Sequence, residues 1–147
     1  MDLKSLYREI VNDHNLHPFH KYDLDEPTVV LRGVNPSCGD DIYLQLKIED
    51  GVITDGSFNG SGCAISQASA DIMLDLVIGE SKENALKLAD IFLRMIKGEA
   101  TEKEIELLDE AAALENISKM PARVKCAQLG WRTLDEIIRE SKADPAE

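Results

Sequence analysis

Three cysteines and one aspartate carry the chemistry that this sequence offers. Cys38 and Asp40 sit in Asn35-Pro36-Ser37-Cys38-Gly39-Asp40, Cys63 closes Gly60-Ser61-Gly62-Cys63, and Cys126 lies far downstream. Pro36 fixes its own φ and biases Asn35 away from helix, while Gly39 permits backbone geometry that a β-carbon forbids, so Cys38 and Asp40 belong on a tight loop. Cys-x-Asp on such a loop offers a thiolate and a carboxylate to one ion. Cys63 opens an apolar, alanine-rich run, which puts its sulfur near a helix N-terminus, where unpaired N–H groups favour thiolate over thiol. Three sulfurs and one oxygen make a tetrahedral set suited to zinc. The competing reading is three unrelated buried thiols, because free cysteine is commonly buried and no Cys-x-x-Cys spacing is present.

Bringing these groups together is the task of the elements between them. Leu3, Leu6, Tyr7, Ile10 and Val11 recur at helical spacing behind Asp2 as N-cap, which predicts an amphipathic helix over 3–14. His14, His17 and His20 follow at three-residue steps around Pro18. As a rival metal cluster they suffer from the helix break at Pro18, and a solvated loop capping the first helix is the simpler expectation. From Thr28 the pattern changes to a first strand that runs to about Val34. Ile42, Leu44, Leu46 and Ile48 then alternate with Tyr43, Gln45, Lys47 and Glu49, as a half-buried strand requires. Asp50-Gly51 is a two-residue hairpin turn, and Val52 to Phe58 returns as the partner strand. In such an antiparallel meander Cys38, on the first connection, and Cys63, beyond the last strand, fall at the same end of the sheet.

Helices follow. Residues 64–78 form one that ends at Gly79, and Ser81 caps the next, whose apolar face uses Leu86, Ala89, Phe92, Leu93 and Ile96 and stops at Gly98. Met73 and Met95 fill core space. Thr101 with Glu104 makes a capping box for a short helix, whereas Asp109 to Met120 shows no clear period. Pro121 suits the first turn of a final helix on which Val124, Ala127, Trp131, Leu134 and Ile138 share a face, with Trp131 as core anchor. Cys126 lies near its N-terminal end, beside Arg123 and Lys125, whose charges would offset those of a thiolate-rich centre. The tail after Ser141 is expected to fray. These patterns predict an α+β fold, a three-stranded antiparallel sheet packed against several helices, as one domain over residues 1–147.

Composition narrows the function classes. The chain has 28 Asp plus Glu against 16 Lys plus Arg, a formal net charge of -12, which repels phosphate backbones and argues against a nucleic-acid partner. No apolar run approaches the roughly 20 residues that span a bilayer, and the N-terminus does not read as a signal peptide, so no membrane role and a cytoplasmic location are expected. An odd number of cysteines without an export signal argues against disulfides.

Asp13-His14 with Pro18, Pro36-Ser37-Cys38-Gly39-Asp40, Gly60-Ser61-Gly62-Cys63-Ala64-Ile65-Ser66 and Lys125-Cys126-Ala127-Gln128-Leu129 together resemble the IscU/NifU N-terminal family of iron–sulfur assembly proteins, over about residues 3–140. The resemblance implies an IscU/SufE-like fold. Three departures look like the SufU branch of that family. Lys125 stands where scaffold members carry a histidine, Lys119-Met120-Pro121-Ala122-Arg123 replaces their Leu-Pro-Pro-Val-Lys segment, and a helical insertion at about 98–120 separates the last two cysteines. Members of that branch bind zinc and accept sulfur from a SufS-type cysteine desulfurase. Carried to this chain, the resemblance implies zinc ligation by Cys38, Asp40, Cys63 and Cys126, with Cys38 as sulfur acceptor. It also implies that Arg123 helps engage the desulfurase, and that the sulfur passes on to a downstream iron–sulfur assembly complex.

Three functions compete at this stage. The first is a zinc-dependent sulfurtransferase in which Cys38 attacks the outer sulfur of the desulfurase persulfide. A closed four-ligand site is inert, so Cys38 must be released when the partner docks. The second is a scaffold that assembles a [2Fe–2S] cluster on the same cysteines. The third is a structural zinc module that only presents a docking surface.

Overall fold

A computed structural model describes residues 3–142. The Asp2 cap and, past Lys142, the tail expected to fray lie outside the described residues. Strands β1 (Val29–Asn35), β2 (Asp40–Glu49) and β3 (Val52–Ser61) pair in that order as an antiparallel meander. The period-two pattern decides the buried face: Ile42, Leu44 and Leu46 are fully buried and Tyr43 between them is exposed. Asp50 and Gly51 both take positive φ, 52° and 76°, the backbone a two-residue hairpin demands. Asn35 pairs with Asp40 and Asp41 with Ser61. The β1–β2 turn and the exit from β3 therefore share one end of the sheet, as the meander predicts.

The helices are α1 (Leu3–Leu16), α2 (Ala64–Val77), α3 (Lys82–Ile96), α4 (Glu102–Glu106) and α5 (Pro121–Lys142). Ser81 caps α3 and Thr101 with Glu104 closes a capping box on α4, both as the sequence predicts. Trp131 of α5 is fully buried and stacks on Phe92 of α3 with ring centroids 4.0 Å apart. Its Nε1–H donates to Ser69 Oγ at 2.9 Å, and that hydroxyl donates to Ala127 O at 2.8 Å, so one indole ties α2, α3 and α5 together. Truncating such a side chain to alanine costs about 3–5 kcal/mol.

Two regions depart from expectation. Asp109–Lys119, which shows neither the helical nor the strand period, is a run of 3-10 turns. Its fully buried residues with the preceding Leu108 are Leu108, Ala111, Leu114 and Ile117, a strict three-residue repeat that only a three-per-turn helix aligns on one face. The second departure is His14. It is not on a solvated loop but buried, because its Nδ1–H donates to Asp71 Oδ2 at 2.6 Å and its Nε2 faces the Glu110 carboxylate. Burial disfavours the charged ring, yet these two carboxylate hydrogen bonds outweigh it and raise the His14 pKa. Among the described residues no helix is long and apolar enough to cross a membrane.

Candidate metal centre

The site is built where the β1–β2 turn, the start of α2 and the second turn of α5 meet. Cys38 N–H donates to Asn35 O at 3.3 Å across the turn, and Gly39 takes φ of 71°, as its place before Asp40 requires. Asp40 opens β2 and is fully buried. Its Oδ1 accepts from Cys63 N–H at 2.8 Å and from Ser66 Oγ at 3.0 Å, and its Oδ2 accepts from Asn35 Nδ2 at 3.2 Å. A Cβ at position 62 would stand 2.8 Å from Asp40 Oδ1, so Gly62 is what allows the carboxylate this close to the chain. Among the described residues no lysine, arginine or histidine forms an ion pair with Asp40. A buried carboxylate held only by neutral donors keeps an uncompensated charge, and that makes the position attractive to a cation.

Cys126, the sixth residue of α5, is fully buried but lies outside the hydrophobic cluster. Its sulfur faces polar groups, 3.0 Å from Cys38 Sγ and 3.8 Å from Asn35 Nδ2. Burial pushes the Cys126 thiol pKa up, reinforced by hydrogen bonds with the Cys38 and Cys63 thiols and by the negative charges of Cys63 and Asp40. With no cation present, this thiol stays protonated; a divalent ion would reverse that preference. Cys38, by contrast, is only partly buried on its turn.

Of the sequence-predicted ligands, the fold brings Cys38, Asp40 and Cys126 together, with donor atoms all within 4.8 Å of one another. Tetrahedral bonds of about 2.3 Å to one zinc would set two sulfurs roughly 3.8 Å apart, so the Cys38 and Cys126 sulfurs, 3.0 Å apart, would separate slightly around an ion. Cys63 is not a member of that compact group. It is the N-cap of α2, its sulfur accepts from Ser66 N–H at 3.4 Å, and its own N–H is spent on Asp40. All three thiols are free.

Arg123 is exposed one turn before Cys126. Its charge and that of Cys63 both act on Tyr7 of α1, whose pKa is raised first by burial, lowered by Arg123 and raised by Cys63. Arg123 therefore stands on the same end of the molecule as the thiols. Lys125, also exposed, lines a cleft with Pro36, Ser37, Gln128 and Arg132 beside the Cys38 turn.

Sequence reasoning missed the roles of Asn35 and Ser66. Asn35 reaches both Asp40 and Cys126, and Ser66 reaches Asp40 and Cys63 O at 3.0 Å. The signal for Ser66 was its place three residues after an N-cap, where a hydroxyl folds back on the helix start. For Asn35 only the register showed it, by setting the residue opposite Asp40.

Comparison with known proteins places this arrangement. Residues 6–138 match the NifU-like N terminal domain. The chain is 45% identical over 139 residues, 95% of its length and 86% of the relative's, to a Streptococcus pyogenes protein named iron–sulfur cluster assembly scaffold protein IscU. It is 40% identical over 141 residues, 96% of its length and 95% of the relative's, to a Bacillus subtilis protein named zinc-dependent sulfurtransferase SufU. A crystal structure of a candidate iron–sulfur cluster assembly scaffold for the SUF system from Fervidobacterium islandicum superposes with a TM-score of 0.85 at 30% identity, covering 91% of this chain and 97% of that one. With the match spanning nearly the whole chain and the same three-strand, multi-helix architecture, the protein belongs to the NifU-like N-terminal domain family.

Proposed function

We propose that this protein works in iron–sulfur cluster assembly in the cytoplasm as a zinc-dependent sulfurtransferase that accepts sulfur from a SufS-type cysteine desulfurase and passes it to a downstream assembly complex. The observation that carries the reading is the pairing of one accessible and one inaccessible thiol, Cys38 and Cys126, with sulfurs 3.0 Å apart beside a buried carboxylate that has no cationic partner among the described residues. The donor set fits zinc: sulfur and carboxylate oxygen are its ordinary ligands, and Asp40 supplies negative charge that a divalent ion would cancel. Cys38, Asp40, Cys63 and Cys126 would hold it. Zinc so bound would keep the thiols deprotonated without redox chemistry of its own.

The chain's residues then divide the work. Cys38, on an exposed turn, is the nucleophile: its thiolate attacks the outer sulfur of the desulfurase persulfide. The new sulfur–sulfur bond forms as the old one breaks, and the electron pair leaves on the desulfurase cysteine. No net oxidation occurs. Asn35, Ser66 and the Cys63 N–H hold Asp40 in place throughout. Arg123, exposed near the thiols, contributes to docking the desulfurase. We take residues 98–120 as a helical insertion in a single domain; its 3-10 turns pack on α1, α2, α3 and α5.

The test is Cys38→Ser assayed for stimulation of desulfurase turnover, with the metal content of the purified protein measured alongside. Stimulation should fall to background, and undiminished stimulation would reject the acceptor role. A second reading, assembly of a [2Fe–2S] cluster on the same cysteines, is favoured by the scaffold name of the Streptococcus pyogenes relative. The lysine at position 125 argues against it. Anaerobic reconstitution separates the two: a stable visible chromophore at near-stoichiometric iron supports the scaffold, and colourless protein with tightly held zinc supports the transferase.

A further inference from the structure

Away from the thiols, three segments meet on a second polar cluster. Asp71 and Asp75 stand one turn apart on α2 and so share a face. His14 comes from the last turn of α1, His20 from the segment after it, and Glu110 from the 3-10 turns. His14, Asp71 and Asp75 offer donor atoms that all lie within 4.8 Å of one another. His20 Nε2 is 2.6 Å from Asp75 Oδ1, and its backbone N–H donates to Asp71 Oδ1 at 2.9 Å. The cluster shares no residue with the cysteine centre.

We propose that His14, His20, Asp71 and Asp75 form a second site for a divalent transition-metal ion, with Glu110 orienting His14. Even with both imidazoles protonated, three carboxylates face two positive rings, so the cluster keeps an excess of negative charge that a divalent ion satisfies. Two imidazoles with carboxylates suit borderline ions such as iron(II), cobalt(II) or zinc and exclude the thiophilic selectivity of the first centre. His14 Nδ1 lies beside Asp71 Oδ2 and its Nε2 faces Glu110. That is the arrangement in which a ligating histidine donates its far N–H to a carboxylate, so a metal that displaces the Nδ1 proton finds the ring still held through Nε2. Burial is graded suitably. The Asp71 and His14 side chains are 0% and 6% exposed, whereas Asp75 and Glu110 are about half exposed, at 46% and 50%. A cleft lined by Asp75, Glu80, Asp109 and Glu110 opens on that side and supplies an acidic approach for a cation.

This proposal stands whether or not the first centre transfers sulfur. The test is a cobalt(II) titration of the full chain with its thiol centre loaded with zinc. Expected is visible d–d absorption from about one equivalent of cobalt, without the near-ultraviolet band of sulfur-to-cobalt charge transfer. His14→Gln and Asp75→Asn should abolish that absorption, and Glu110→Gln should weaken binding about 10–100-fold. Asp75 is half exposed, so its variant keeps the test valid if changes at buried His14 or Asp71 impair folding. Absence of cobalt absorption would mean that the cluster is only an ion-pair clasp and overturns the proposal. So would absorption that carries the charge-transfer band and persists in both variants, since the cobalt would then sit on the cysteines.

Discussion

Asp40 at the start of β2 and Asp71 in the middle of α2 are both fully buried carboxylates, and they are held in opposite ways. Among the described residues Asp40 accepts only from neutral donors: an amide side chain, a hydroxyl and a backbone N–H. Asp71 accepts from a backbone N–H and from an imidazole whose pKa is raised, against the cost of burial, by the hydrogen bonds to Asp71 itself and then to Glu110. Neutral donors fix a carboxylate without cancelling its charge, whereas an imidazolium cancels it. The thiol centre is thus electrostatically unfinished without a metal, and the histidine cluster is closed by a proton that a metal must displace. If both proposed sites take a metal, tight retention is expected at the first and exchange at the second.

The largest effects that can break this comparison concern stability without metal. In chelator-treated protein Asp71→Ala leaves a buried imidazole facing lost charge and should cost about 3–5 kcal/mol. Asp40→Ala strands only neutral donors and should cost about 1–3 kcal/mol. Urea unfolding at neutral pH measures both, and equal losses would dissolve the distinction. Metal retention reverses the ranking. Asn35→Ala removes a donor that orients Asp40 and touches Cys126, so zinc should bind about 10–100-fold more weakly in competition with a chromophoric chelator. His14→Gln should leave that zinc affinity unchanged. Ser66→Ala sharpens the same point on a smaller scale. It removes one of Asp40's three donors and should lower the stability of the metal-free protein by about 0.5–1.5 kcal/mol.

The cysteine centre and the histidine cluster were unequally legible in the sequence, and the cause is geometric. Alternation from Ile42 to Ile48 and the Asp50-Gly51 turn fix the meander, and the meander sends Cys38 and Cys63 to one end of the sheet. Cys126 was reachable because Pro121 marks the helix start that carries it. His14 offered no such chain of inference, since its partners Asp71 and Glu110 lie 57 and 96 residues away on elements whose packing no local pattern states. Glu110 was doubly hidden, sitting in a segment whose apolar repeat of three matches neither the 3.6 nor the 2.0 period. The repeat Leu108, Ala111, Leu114, Ile117 was nonetheless visible to a search for period three.

A third carboxylate supplies the control for both buried ones. Glu104 is forked to Arg94, with Oε1 and Oε2 accepting at 2.9 and 2.6 Å, and also takes the Thr101 N–H at 3.0 Å. The Arg94 hydrogen bonds, helped by Thr101, lower its pKa from 4.5 to about 2. A depressed carboxylate pKa contributes stability that is fully present above the ordinary value and is lost as pH falls through the folded one. Between about pH 4.5 and 2 the native protein should therefore lose stability more steeply than Glu104→Gln. At neutral pH the native protein should unfold at a modestly higher temperature than the variant, because that contribution is fully present there and solvent screening keeps it small. Thermal midpoints recorded across that window decide it, and parallel curves would show that the fork does not hold in solution. The separation of windows is what makes the control useful: the Asp40 and Asp71 variants are compared at neutral pH, where Glu104 is ionised in every one of them.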